Sequence, residues 1–164
     1  MSLTHLQYEL MLFSRNYLKP HHSKERVLDR SAYVLLSRLE FSEPMTLKEI
    51  SEALGLDAST IHRQSSSLFK AAHLEHVAPV SGQVARRVRP TAAGLAALAE
   101  TRRIFEQGLA SVVDTWPADK QEHFQSLLRD FNERVEALEG TSWPRPYDGE
   151  NRFRFSAHPT RESH

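Results

Sequence analysis

Cysteine is missing from all 164 residues, which excludes disulfides, thiolate metal sites and thiol-based redox switching. Net charge is missing too. Lys and Arg total 21 and so do Asp and Glu, so any pull toward a polyanion has to come from local clustering. No run of about 18 apolar residues occurs, so no membrane-spanning helix is expected. The N-terminus lacks the charged start and small-residue cleavage site of a secretion signal, and a cytoplasmic location is expected. Glycine is scarce, at six residues, and none forms a phosphate-cradling loop. No paired carboxylates or nucleophile–base–orienter set stands out. His62 lies near Ser59 and Ser66, but no strained nucleophile turn or oxyanion donor accompanies it. The nine histidines show no metal-ligand spacing. An enzyme, a metal site and a cofactor are therefore not expected.

What is present is helical periodicity and well-placed punctuation. Leu3, Leu6, Leu10, Phe13 and Tyr17 recur three and four apart, an amphipathic helix that Pro20 ends. A polar connector, His21–Arg26, leads to a second helix over about Asp29–Phe41, which Glu43–Pro44 stops. Thr46 and Glu49 form a capping box for a short helix to Leu54, and Gly55 suits the turn after it. Asp57 or Ser59 caps the next helix, which runs to about Ala72. Two strand-like runs, Leu74–Ala78 and Val84–Arg89, flank the loop Pro79–Gln83. Thr91 opens a long helix to Trp116, and a last helix covers about Ala118–Leu138. Leu95, Leu98, Phe105, Leu109, Val112 and Trp116 trace a heptad-like seam interrupted by Arg102, and Phe124, Leu128, Phe131, Val135 and Leu138 trace another.

A helix, a four-residue break, a second helix and a two-stranded wing are the parts of a winged helix-turn-helix, which sets one helix into a DNA major groove. The local charge agrees. From Ser59 to Pro90 the cations are Arg63, Lys70, Arg86, Arg87 and Arg89, against the single acid Glu75. In the second helix Ile61, Leu68 and Ala72 are expected to face inward, with Ser59, His62, Arg63, Ser66 and Lys70 on the opposite face. Ser59, Thr60, His62, Arg63 and Gln64 are the candidates for bases and phosphates near the helix N-terminus, where the dipole favours phosphate. Arg63 suits guanine and Gln64 adenine. In the outgoing wing strand Arg87 and Arg89 share one face and Arg86 takes the other. Few acids lie near them in sequence, so at least one is expected on the phosphate backbone or in the minor groove.

The run Leu47-Lys-Glu-Ile-Ser-Glu-Ala-Leu-Gly-Leu56, its continuation Asp57-Ala-Ser-Thr-Ile-His-Arg-Gln64, and the segment Arg86-Arg-Val-Arg-Pro-Thr-Ala-Ala-Gly94 together resemble the MarR family of winged-helix transcriptional regulators. The resemblance spans roughly residues 3–138. It implies a mainly helical fold divided into an N-terminal dimerisation helix and connector (1–28), a winged helix-turn-helix domain (29–90), C-terminal dimerisation helices (91–139) and an irregular tail (140–164). It also implies a homodimer on double-stranded DNA, at a pseudo-palindromic operator. A small-molecule effector bound between the dimerisation helices and the winged domain would release that DNA, and repression is the expected outcome. Met11, Arg15, Tyr33, Ser37 and Arg102 are the candidates for the effector cavity; Arg102 would meet an anionic ligand, form an intersubunit salt bridge, or snorkel to water. The family usually has glycine, for a left-handed backbone, after the recognition helix, where His73 is expected here. The alternative function is a winged-helix module that binds protein and no DNA.

Overall fold

The computed structural model describes residues 2–16, 28–78 and 85–145. The expected connector, the wing loop and the tail beyond Arg145, with Tyr147, Phe153 and Phe155, lie outside them. The elements run α1 (Leu3–Asn16), α2 (Arg30–Glu40), β1 (Met45–Thr46), α3 (Leu47–Leu54), α4 (Ala58–Lys70), β2 (Leu74–Val77), β3 (Arg87–Pro90), α5 (Ala92–Val113) and α6 (Ala118–Glu139).

Capping residues set most of these bounds. Asp29 accepts the Ala32 amide to start α2. Thr46 and Glu49 close the capping box of α3, and Gly55 ends that helix at φ 61°. Asp57 starts α4 and Thr91 starts α5. In each case a side-chain oxygen satisfies an amide that has no partner within the helix.

The three strands form one antiparallel sheet in the order β1-β3-β2. Met45 pairs with Val88 and Thr46 with Arg87 on one side of β3; Glu75 pairs with Arg89 and His76 with Val88 on the other. β1 is an addition to the sequence expectation. Two residues leave no alternation to read, and only pairing with β3 makes them a strand.

The core gathers one stripe from each element of the winged domain. Leu35, Leu36 and Leu39 of α2 pack with Ile50 of α3, Ile61 and Leu68 of α4, Leu74 of β2, Val88 of β3 and Leu98 of α5. Leu98 thus brings α5 into this core, and Thr101 and Ile104 of the same helix are buried as well. The Thr101 hydroxyl donates to Ala97 O and accepts the Leu28 amide at 3.1 Å, which ties the long helix to the entrance of α2. The heptad-like seam thus splits. Its first half is winged-domain core, whereas Leu109 and Val112 in its second half stay more than half exposed.

The end of α4 differs from expectation. Ala72 is the residue in the left-handed region, at φ 57°, and it is exposed rather than inward-facing. His73 follows it in a Schellman turn: the His73 amide donates to Leu68 O and the Ala72 amide to Phe69 O. The helix stops at Lys70, two residues before the end its periodicity suggests, and the left-handed position falls on Ala72 rather than His73. An alanine there pays about 1 kcal/mol in Cβ crowding that glycine avoids. Ala72→Gly is accordingly expected to raise the melting temperature by about 2–4 °C, measured by thermal unfolding followed by circular dichroism.

This turn is also where α5 attaches. Thr91 donates its amide to His73 O at 3.0 Å and its hydroxyl to Ala72 O at 2.6 Å, while the same hydroxyl accepts the Gly94 amide. Gly94 is buried directly against the His73 carbonyl. The Thr-x-x-Gly opening of α5 is the joint that fastens the exit of α4 to the long helix.

Candidate nucleic-acid interface

The winged domain presents one face of α4 to solvent, and β2 packs against the helix. Ser59, His62, Arg63 and Lys70 are exposed on it, while Ser66, Thr60 and Gln64 are half-buried. Ser67, absent from the sequence-based set, is exposed in the place expected for Ser66. With Ile61, Ser65 and Leu68 buried, the inward stripe is centred so that the i+8 position, not i+7, faces out. The same helical periodicity would have shown this had Ser65 been counted inward; its polarity hid it.

At the N-terminus of α4 one of the free amides, that of Thr60, is engaged by the cap. Asp57 accepts the Thr60 amide at 2.8 Å and the Thr60 hydroxyl at 2.7 Å, and it also accepts the Ser59 hydroxyl. These donors, the Ser59 hydroxyl foremost, hold the Asp57 carboxyl far below the usual carboxylate range. The Asp57 carboxylate therefore shares this helix end with any phosphate expected there. Ser59 and Thr60 retain lone pairs, but their hydroxyl protons point to Asp57.

The wing cations divide. Arg87 makes a two-pronged bridge to Glu49, Nη1 to Oε2 at 2.9 Å and Nη2 to Oε1 at 3.0 Å, and Nη1 also donates to Pro44 O at 2.8 Å. Arg89 meets Glu75 on the adjacent strand at 2.7 Å. Two of the three arginines thus pair with acids although few acids lie near them in sequence, which leaves Arg86 as the candidate for the expected backbone or minor-groove contact. Glu49 lies 38 residues from Arg87 in sequence, and Glu75 became a neighbour only through the strand register. Arg86 is exposed; Arg63, Lys70 and Arg86 have no ion pair among the described residues. Among the described residues, Arg63 and Lys70 leave the α4 face with uncompensated positive charge, and Arg86 adds another exposed cation to the winged domain.

The residues expected around an effector cavity are only partly assembled. Tyr33 stands edge-on to Phe105 at 5.2 Å. Arg102 bridges Glu40 at 2.8 Å within the same chain, so neither an anionic ligand nor an intersubunit partner is needed to neutralise it. The Glu40 carboxylate above all holds that guanidinium more firmly protonated than usual. The Ser37 hydroxyl is buried with no hydrogen-bond partner among the described residues. Met11 and Arg15 are exposed on α1, a helix that buries none of its residues. Among the described residues no three His, Asp or Glu side chains gather as a metal site, and no helix is long and apolar enough to cross a membrane.

A helix-turn-helix whose second helix lies exposed, followed by two strands of a three-stranded sheet, defines a winged-helix fold. Comparison with known proteins narrows this. The chain is 28% identical over 130 residues to the uncharacterized HTH-type transcriptional regulator YxaD of Bacillus subtilis, covering 77% of this chain and 90% of that one. Its fold matches apo MarR of Escherichia coli with a TM-score of 0.63 at 17% identity, over 80% of this chain and 97% of the other. It matches Streptococcus pneumoniae FabT, solved in complex with DNA, with a TM-score of 0.65 at 12% identity, over 84% and 99%. It also matches Bordetella bronchiseptica BpsR, whose DNA binding is regulated by 6-hydroxynicotinic acid, with a TM-score of 0.61 at 17% identity, over 78% and 98%. No family model matches the chain. By its architecture the chain has the MarR fold.

Proposed function

We propose that this chain is a cytoplasmic MarR-family transcriptional regulator that binds double-stranded DNA as a homodimer. The observation that carries this is the exposed face of α4, where Arg63 and Lys70 stand without acidic partners and with Arg86 on the same domain. Small and polar side chains around Arg63 let the helix approach base edges, and the uncompensated cations supply phosphate attraction. The relation to a helix-turn-helix regulator and the fold shared with a DNA-bound protein support the same reading.

Exposed apolar surface supports the dimer. α1 leaves Leu3, Leu6 and Phe13 at 79%, 37% and 42% exposure, and α5 and α6 leave Leu109, Val112, Leu127, Phe131 and Leu138 between 47% and 71%. Apolar stripes of this kind on three helices are what a second copy would cover. A two-fold dimer would set two α4 helices into major grooves about one turn, ~34 Å, apart on a pseudo-palindromic operator. Repression is the proposed outcome. A small effector between the dimerisation helices and the winged domain would release DNA by altering the separation of the two lobes, with Met11, Arg15, Tyr33, Ser37 and Arg102 as the candidate lining. Its loading would exchange the Glu40 contact of Arg102 for a ligand contact. Regulation of BpsR by a small aromatic acid is the parallel.

The alternative, a winged-helix module that binds protein and no DNA, draws on the neutralisation of Arg87 and Arg89 by Glu49 and Glu75. Sedimentation of the purified protein with and without a duplex separates the two. The expected result is a dimer, twice 18.8 kDa, that shifts as a dimer onto duplex DNA and is released steeply by added salt. A dimer that leaves the duplex untouched at low salt would favour the protein-binding module.

A further inference from the structure

We propose that Arg87 and Glu49 are positioning residues that set the wing against the recognition helix, so that Glu49, an acid, is required for tight DNA binding. The proposal rests on the DNA-binding reading above and assigns Arg87 a different job from its neighbour Arg86.

The geometry points to a clamp. Arg87 sits on β3, the central strand, directly opposite Thr46 of β1. Thr46 is the N-cap of α3, and Glu49 is the residue that returns the capping bond to the Thr46 amide at 2.8 Å. Through Glu49 the guanidinium of Arg87 is thus joined to the first turn of α3, and through Pro44 O to the chain entering β1. One planar fork spans the wing root, the edge strand and the first helix of the helix-turn-helix. Two parallel charge-assisted bonds fix direction as well as distance. α3 packs on α4, with Ile50 and Ile61 in one core, so the orientation fixed at Arg87 is an orientation of the wing relative to α4. Beyond this root β1 holds β3 by only two residue pairs, a short ladder that leaves the side-chain fork as the main angular restraint on that edge.

The same arrangement removes Arg87 from the pool of phosphate contacts. Both terminal nitrogens are turned to Glu49 and Pro44, and the pair adds no net charge to the face. Simple electrostatics and the clamp therefore predict opposite signs for one substitution. Glu49→Gln deletes a negative charge near DNA, which by charge alone tightens binding, and glutamine still serves a capping box. A clamp predicts weaker binding.

The test measures affinity for the selected DNA site as a function of salt in the parent dimer and in Glu49→Gln, Arg87→Lys and Arg86→Ala, with amide hydrogen exchange on the same proteins. The clamp predicts at least fivefold weaker binding for Glu49→Gln and for Arg87→Lys. It predicts faster exchange at the β1–β3 amides of Met45 and Val88, and unchanged exchange in α2 and residues 92–104 of α5. Arg86→Ala should instead lower the slope of log affinity against log salt by about 0.9, the signature of one lost phosphate contact. Glu49→Gln binding as tightly as the parent or tighter, or β1–β3 exchange unaltered, overturns the clamp while leaving the regulator intact. A parent dimer that selects no DNA overturns the DNA-binding reading itself, and the clamp's role in affinity with it.

Discussion

Gly94→Ala is expected to be the most damaging single methyl group that can be added to the described helices. A Cβ at this position would lie 2.2 Å from His73 O and 3.0 Å from its carbonyl carbon. Neither atom belongs to a flexible side chain. The His73 carbonyl is held by the Thr91 amide, and His73 itself is held by the Schellman bond to Leu68 O. Room for the methyl can only come from moving α5 away from the end of α4, which would open the contact of Leu98 with the shared core. Forced repacking of this kind costs about 3 kcal/mol, which for a chain of this size lowers the melting temperature by about 6–12 °C. The effect should reach function as well, because the joint fixes the recognition helix to the helices proposed to dimerise. Thermal unfolding and DNA affinity should fall together. A variant that melts within about 2 °C of the parent would show that the helix joint is looser than its geometry.

Arg63→Ala is expected to give the largest loss of DNA recognition without a comparable loss of stability. Arg63 is exposed in the second turn of α4, is without an ion pair among the described residues, and packs no part of the core. Its guanidinium fits guanine O6 and N7 in the major groove, a contact that discriminates by about 1–3 kcal/mol, or roughly tenfold to a hundredfold in affinity. The variant should therefore bind its preferred site about tenfold to a hundredfold more weakly yet bind unrelated duplex almost as the parent does. Sites reselected by the variant should relax at one base position in each half-site. Lys70→Ala, by contrast, should weaken all duplexes alike. Equal losses by Arg63→Ala on specific and unrelated DNA would make Arg63 a phosphate contact and would leave base reading to Gln64 and the neighbouring hydroxyls.

Most elements were legible because their ends carry chemistry. Asp29, Thr46, Asp57 and Thr91 each place an oxygen where an unpaired helical amide needs one, and that demand acts over three residues, within reach of a local pattern. The capping box of Thr46 and Glu49 was visible for that reason. What escaped was whatever depended on distant partners. β1 exists only because β3 lies beside it. The engagement of Arg87 could not be seen from a stretch poor in acids, since its acid arrives from α3 through the tertiary fold. Arg102 interrupts an apolar seam and so looked available to a ligand; Glu40, on another helix, answers it.

The candidate interface was legible in composition and less so in phase. Ser59, His62, Arg63 and Lys70 are on the exposed face as their spacing indicates. Ser65 is buried at 1% exposure, and a serine in the inward stripe shifts the outward face toward Ser67 without leaving an apolar mark. The turn after α4 shows the same limit. Ala72 carries the positive φ that glycine usually takes, and its neighbour His73 is the residue whose polarity draws attention. The Schellman bonds, not side-chain chemistry, decide which of the two is left-handed.

The measurement that bears most directly on the central claim is selection of bound fragments from random-sequence duplex DNA by the purified protein at near-physiological salt. The proposed function predicts an enriched inverted repeat whose half-sites lie one helical turn apart, protected symmetrically in a footprint, as two α4 helices on a two-fold dimer require. Enrichment of nothing, or of a site without two-fold symmetry, would contradict a homodimeric reader of a pseudo-palindromic operator.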